Sequence, residues 1–383
     1  MLHSSYIEIS KSALQHNITF IKQQIGPNVK LSSVIKGNAY GHGIEQFAPL
    51  AQASGVNHFS VFSADEAQRL LAVLPRPATI MIMGYLDEEE IEWAILNDIE
   101  FYVFELDRLI QAVAEAKRLR KQARIHLELE TGMNRTGFAA ADLTRVISVL
   151  EKNREHVVLQ GICTHYAGAE SLQNHERVLA QYRKFNKLVQ GLAGQGIKAH
   201  TTHTACSAAM VSYPESHMDM VRIGIMQYGL WPSPETYSQY IGSHHTKKDP
   251  LHRLITWKSR IMSLKQVPKG EYVGYGTSYQ AQRDVLLAVV PVGYAWGYSR
   301  SLSNQGLVLV KEQRASVVSI VNMNAMMVDV TDIPEVQQND EVVLLGKQGE
   351  QSITVASFGE LSTQLNYELL TRLPGNIPRY IVD

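Results

Sequence analysis

As far as Ile225, short apolar or β-branched runs alternate with longer segments whose apolar residues recur every three or four positions. The short runs predict strands at Leu31 to Ile35, His58 to Phe62, Thr79 to Met83, Glu100 to Phe104, Arg124 to Leu129, Val157 to Cys163, Ala199 to Thr204 and Met220 to Ile225. Helical spacing follows most of them: a helix opens at Ile44, and others run over Asp65 to Val73, Glu88 to Leu96, Leu106 to Leu119, Leu143 to Leu150 and Glu176 to Leu192. Before these, Tyr6 to Ile9 alternates like a strand, and Ser10 caps a helix carrying Leu14, Ile18 and Ile21 on one face. Eight strand–helix units in roughly 220 residues suit a TIM-like (β/α)8 barrel better than an open sheet, with the last unit weakly helical. Between Pro232 and Arg253 the pattern dissolves into Pro, Ser, His and Lys, which predicts a linker. Beyond it lie β-type runs at Leu254 to Met262, Val285 to Val292, Gly306 to Val310, Ala315 to Ile320, Met326 to Val330, Glu341 to Leu345 and Ile353 to Ala356, with one helix at Ser357 to Leu365. The expected fold is an α/β barrel domain over 10–240, followed by a mainly β domain over 241–383 that also takes in the strand within 1–9.

Composition narrows the function classes. The 383 residues carry 36 basic and 37 acidic side chains with no long block of either sign, so neither nucleic acid nor an anionic membrane is an expected partner. No apolar run is long enough to span a bilayer, and the N-terminus has no basic-then-apolar leader. With only Cys163 and Cys206, a disulfide framework is excluded and a cytoplasmic protein is expected.

Chemistry concentrates where barrel strands end. Lys36 closes the first barrel strand in Val34-Ile35-Lys36-Gly37-Asn38-Ala39-Tyr40-Gly41-His42-Gly43. A lysine desolvated there would be lowered in pKa and suited to Schiff-base chemistry with a carbonyl or pyridoxal phosphate. After the seventh and eighth strands, the Ser207 hydroxyl and the amides of Gly224 and Ile225 could cradle a phosphate, although a helix cap and a tight turn explain them equally well. Arg135, His165 and Arg222 also fall at strand ends, so four basic groups including Lys36 would share one mouth and call for an anionic ligand. A metal site from His200, His203 and Cys206 is not expected, because His200 and His203 point to opposite faces of a strand. Among the tyrosines, Tyr275 stands out between Gly274 and Gly276, which leave its phenol uncovered for proton transfer if a cation such as Arg135 lies near it.

Over nearly its whole length the chain resembles the alanine racemase family of barrel-type pyridoxal phosphate (PLP) enzymes. The stretch from Val34 to Gly43 looks like that family's PLP-lysine signature. Thr131-Gly132-Met133-Asn134-Arg135, Arg222-Ile223-Gly224-Ile225-Met226-Gln227-Tyr228-Gly229, Gly274-Tyr275-Gly276 and Asn366-Tyr367-Glu368 agree in order and spacing. The resemblance implies that Lys36 binds PLP covalently and that Tyr40, Ser207, Gly224, Ile225 and Tyr367 hold its phosphate. It further implies that Arg222, supported by His165, faces the pyridine nitrogen, and that the Met323 backbone meets the substrate carboxylate. Tyr275, with Arg135 beside its phenol, is then the second base and reaches the other subunit of a head-to-tail homodimer. Lys36 and Tyr275 on opposite faces of the α-carbon would interconvert L- and D-alanine for peptidoglycan.

Three departures from the family pattern bear on this. Glu128 stands where many members carry a carbamylated lysine, and it is expected to pair with Arg135 directly. The usual Cys-Met-Asp reads Asn322-Met323-Asn324, and Trp296 replaces a customary aspartate. The asparagines motivate the alternative of a serine or broad-specificity amino-acid racemase. A PLP-dependent decarboxylase fits less well, given Gly274-Tyr275-Gly276, and a noncatalytic PLP carrier should lack the β domain.

Overall fold

The computed structural model describes residues 3–244, 248–355 and 367–383. It divides into two compact units, one comprising Ala13–Lys36 and Ala48–His252, the other the segment ending at Ser12 together with Gly37–Phe47 and the chain from Arg253 onward.

Strand β1 (Ser5–Ser10) belongs to the second unit. The first is built on eight parallel strands: β2 (Lys30–Val34), β3 (His58–Val61), β4 (Thr79–Ile82), β5 (Glu100–Val103), β6 (Ala123–Glu128), β7 (Val157–Cys163), β8 (Thr201–His203) and β9 (Met220–Ile223). They pair in the order β8-β7-β6-β5-β4-β3-β2-β9. Closure between β8 and β9 rests on separate hydrogen bonds rather than a ladder. The Asp219 amide donates to the Thr202 carbonyl (3.1 Å), the Thr202 amide to the Asp219 carboxylate (2.6 Å), and the Arg222 amide to the Ala205 carbonyl (2.9 Å). Burial on both faces of most of these strands accounts for their mainly apolar runs. Helices Ala64–Val73, Glu88–Leu96, Leu106–Leu119, Leu143–Lys152 and His175–Gly194 follow the predicted periodicity. Asp87 and Glu90 close a reciprocal capping box at 2.8 and 2.9 Å that starts the second of these.

The stretch read as a patternless linker holds a further helix, Pro234–His244. Its start was encoded locally: Ser233 Oγ accepts from the Thr236 amide (3.1 Å), and Pro234 occupies the first turn, where its missing N–H costs nothing. Its buried Tyr240 packs against Phe20 and Trp231, with ring centroids 5.4 and 5.2 Å away.

In the second unit, β10 (Ile255–Arg260), β11 (Ser263–Val267), β12 (Val285–Val290), β13 (Leu307–Val310), β14 (Gln313–Val318), β15 (Met326–Asp329), β16 (Glu341–Gln348), β17 (Gln351–Ile353) and β18 (Arg379–Val382) join β1. The order is β11-β12-β15-β14-β13-β16-β10-β1-β18, with β17 folded back on β16, and every pairing is antiparallel except β1 with β18. Val267, Val273, Val285, Leu287 and Met327 form one apolar cluster of this unit. The helix expected at Ser357 to Leu365 lies outside the described residues.

Candidate active site

The end of β2 is locked before Lys36 is reached. The Val34 carbonyl accepts from Gln227 Nε2 (2.8 Å) and from the Tyr228 hydroxyl (3.0 Å), while Ser33 Oγ donates to Gln227 Oε1 (2.6 Å). Beyond Lys36 the backbone makes a left-handed turn through Gly37, Asn38, Ala39 and Tyr40, with φ of 63, 55, 53 and 50°. Left-handed helix costs roughly 1–2 kcal/mol per residue carrying a Cβ, so the turn persists only because its surroundings hold it. The Gly41 amide donates to Gly37 and the Gly43 amide to Asn38 (3.0 and 2.9 Å), and Asn38 Oδ1 accepts from the Ile44 amide (3.3 Å). A Cβ on Gly41 would lie 1.8 Å from the Leu370 carbonyl oxygen, which excludes any other residue there. Buried His42 fastens the turn through Nδ1, 3.0 Å from the carbonyls of both Ala39 and Tyr40. In the same unit Tyr40 meets Tyr367 edge-on, ring centroids 6.1 Å apart.

Lys36 is open to solvent at its surface but crowded along its length. Loss of water lowers its pKa, and the positive fields of Arg135 and Arg222 add to this against the opposing Glu66 and Cys206. The neutral amine is therefore more accessible here than in an ordinary lysine. Electrostatically, Lys36, Arg135, His165 and Arg222 form the predicted group of strand-end bases. Burial, then Arg222, Arg135 and Lys36, push the His165 imidazole down to about 3. Ser207 opens helix Ser207–Ser212, and its Oγ accepts from the Gly224 amide (3.1 Å), tying together the two loops expected to cradle a phosphate.

Arg222 is 5% exposed and uses all four of its Nη hydrogens inside the barrel. Nη1 reaches His203 Nδ1 (2.5 Å) and the His203 carbonyl (2.9 Å), and Nη2 reaches the carbonyls of Thr164 (2.8 Å) and Thr204 (3.2 Å). Among the described residues only Nε–H is left for a ligand. His203, rather than the expected His165, thus hydrogen-bonds the guanidinium. His126, Glu100, His58 and Gln227 were also missed. The signal for the three strand residues is a polar side chain inside an apolar strand, as at His126 in β6, whereas Gln227 lies in the turn Ile225–Tyr228 and carries no such signal.

The loop after β6 departs from expectation at Glu128. Its Oε2 accepts from Thr136 Oγ1 (2.7 Å), and no ion pair joins it to Arg135 among the described residues. The chain turns at Gly137 so that the Phe138 amide donates to the Glu128 carbonyl (2.8 Å), which brings Thr136 rather than Arg135 onto the carboxylate.

Tyr275 and Met323 belong to the β-rich unit. A hairpin-like loop, with hydrogen bonds from Val273 to Tyr279 (3.0 Å) and from Ala281 to Glu271 (2.9 Å), carries Tyr275 at its tip, 71% exposed. Gly274 has φ of 71°, and a Cβ there would meet Ser319 Oγ at 2.5 Å. Near Trp296, the amides of Tyr294 and Ala295 donate to the carbonyls of Asn322 and Met323, both at 3.0 Å. This laces together the two segments that depart from the family pattern.

Two desolvated imidazoles, buried His42 and half-buried His165, give the fold an acid-side pH dependence. His165 titrates at about 3 and His42 at about 4, against roughly 6.5 in the unfolded chain. Between those values the unfolded state binds more protons, so stability is full above about pH 6.5 and declines as pH falls. Each group contributes up to ~1.4 kcal/mol per pH unit in that window. Urea midpoints measured without cofactor should drop from pH 7 to pH 5, and His165→Asn should flatten the slope. A midpoint independent of pH would contradict the burial argument.

Against known families, residues 9–232 match the model of the alanine racemase N-terminal domain, and 254–381 that of the alanine racemase C-terminal domain. Alanine racemase of Leptospira interrogans is 35% identical over 385 aligned positions, covering 100% of this chain and 96% of that one. The Desulforamulus reducens alanine racemase is 36% identical, with 98% of each chain covered. Among solved structures, alanine racemase from Bacillus anthracis with bound L-Ala-P superposes with a TM-score of 0.90 at 29% identity, covering 100% of this chain and 96% of that one. The family models cover both units, and the similarity runs from end to end: this chain belongs to the alanine racemase family.

Proposed function

We propose that this protein is an amino-acid racemase that interconverts L- and D-alanine with PLP as cofactor. The observation that carries the reading is Lys36, an amine of lowered pKa at a locked strand end, beside an arginine whose remaining donor is Nε–H. These residues fit PLP. Lys36 would attach it, Arg222 Nε would donate to its ring nitrogen, and Ser207, Gly224 and Ile225, with Tyr40 and Tyr367, would hold its phosphate. When bound, the cofactor supplies the electron sink that acidifies the substrate's α C–H. Arg222 keeps its own proton, which limits that sink and favours simple return of the α-proton over transamination.

The chain's residues then divide the proton work. Lys36 takes or returns the proton on one face of the α-carbon, and Tyr275 from a second copy does so on the other, with Arg135 near its phenol and the Met323 backbone against the substrate carboxylate. The 71% exposure of Tyr275 at a hairpin tip supports a head-to-tail homodimer in which each copy completes the other's site. Among the described residues no helix is long and apolar enough to cross a membrane. Both cysteines are free, which supports a cytoplasmic setting, where the product would serve peptidoglycan synthesis.

A second reading, serine racemisation, rests on Asn322. Its Oδ1 is buried and accepts no hydrogen bond among the described residues, so a substrate hydroxyl would supply the missing donor. One experiment tests both readings: a visible spectrum of the purified protein, then loss of optical rotation from L-alanine, L-serine, L-lysine and L-arginine. A bound-cofactor band with alanine fastest is the expected result. Serine fastest would establish the second reading, and no band even after PLP is added would overturn both.

A further inference from the structure

Side chains from four barrel strands form one hydrogen-bonded chain that runs inward from Arg222 to a carboxylate. From Arg222 on β9, Nη1 lies 2.5 Å from His203 Nδ1 on β8. His203 Nε2 is 2.9 Å from His126 Nδ1 on β6, and His126 Nε2 is 2.8 Å from Glu100 Oε2 on β5. On the far side His58 of β3 places Nε2 3.5 Å from the same Glu100 oxygen and Nδ1 2.9 Å from Ser32 Oγ. Glu100, His126, His203 and Arg222 are 7, 1, 0 and 5% exposed.

The two ends of this chain dictate where its protons sit. An arginine only donates, so His203 Nδ1 must accept. A neutral His203 then carries its proton on Nε2 and donates it to His126 Nδ1, which leaves the His126 proton on Nε2, facing Glu100. Burial holds both imidazoles below their ordinary pKa, and although burial alone would raise Glu100, hydrogen bonds from His126 and His58 keep it ionised. Reversing any link would set N–H against N–H in a dry interior, where an unpaired donor costs about 1–3 kcal/mol. We propose that Glu100, two imidazoles removed from Arg222, is a positioning residue: it locks the His126 and His203 tautomers so that Arg222 turns its Nη groups inward and presents Nε–H alone to the ligand.

The role of Nε–H toward a pyridine nitrogen rests on the function proposed above; the tautomer assignment does not. Protein labelled with ¹⁵N-histidine, without cofactor, should show His126 and His203 as neutral Nε2–H tautomers at pH 7. Finding either as Nδ1–H or doubly protonated overturns the proposal, and no variant is needed. Glu100→Gln removes the charge and allows the amide to donate back. It should disturb both imidazole signals, shift the absorbance maximum of bound PLP, weaken PLP binding measured by fluorescence, and lower kcat on the order of 10- to 100-fold with little change in KM. Ser32→Ala, beyond Glu100 in the chain, should leave these readouts as in the parent. A folded Glu100→Gln protein with parent-like tautomers, spectrum and kcat would overturn the positioning role. Failure of the parent protein to bind PLP would instead overturn the functional reading, leaving the tautomers to be judged by the ¹⁵N signals.

Discussion

Lys36→Ala is expected to lower alanine racemisation by on the order of 10⁵-fold or more, because one change removes both the covalent anchor of the cofactor and the base on one face of the substrate. The fold should be almost unaffected. Lys36 is exposed, and the hydrogen bonds that hold the strand end belong to Ser33, Val34, Gln227 and Tyr228. Its removal also relieves like-charge repulsion from Arg135 and Arg222, so the urea midpoint should stay level or rise slightly. Borohydride reduction followed by mass measurement should find PLP fixed to the parent protein and none fixed to the variant. More than about one percent residual racemisation by polarimetry would remove Lys36 from the catalytic role, since loss of an essential base alone accounts for about 10²–10⁴-fold.

Tyr275→Phe should separate the two faces of the reaction. Racemisation should fall about 10²–10⁴-fold, while exchange of the α-proton in deuterated water continues for one enantiomer through Lys36 and collapses for the other. Little stability is at risk, because the phenol is exposed at the tip of its hairpin. Proton NMR of each enantiomer reads the exchange directly, and equal losses for both would defeat the two-base assignment. Mixing the two variants then tests the shared site. In a head-to-tail dimer, a Lys36→Ala subunit paired with a Tyr275→Phe subunit rebuilds one intact site. Random re-pairing should thus recover about a quarter of the parent rate. No recovery, with exchange of subunits verified, would place Lys36 and Tyr275 of a single copy in the same site.

How much of this was legible in the residues varied with how local the cause is. Most of the barrel strands could be read because they are buried on both faces and mainly apolar, whereas β8 is a short, polar Thr-Thr-His run that is only half-buried at its threonines. β11 and β18 carry no such apolar run, for the opposite reason. They occupy the two edges of their sheet and are largely exposed, so neither carries a contrast between an apolar and a polar face. Helix Pro234–His244 was written in Ser233-Pro234, yet the surrounding polar residues obscured it because only Thr236 and Tyr240 are buried.

By itself the sequence determined the strand that delivers Lys36, the glycines that allow the left-handed turn after it, and the family to which the motifs point. These depend on backbone preference and on burial within a few residues. Only the tertiary structure decided that Arg222 leans on His203 rather than His165, that Glu128 takes Thr136 rather than Arg135, and that Glu100 stands at the end of the chain behind the site. Each is a choice of hydrogen-bond partner inside a dry space. Such choices follow from which strands face one another across the barrel, in what register, and from the requirement that every buried donor find an acceptor.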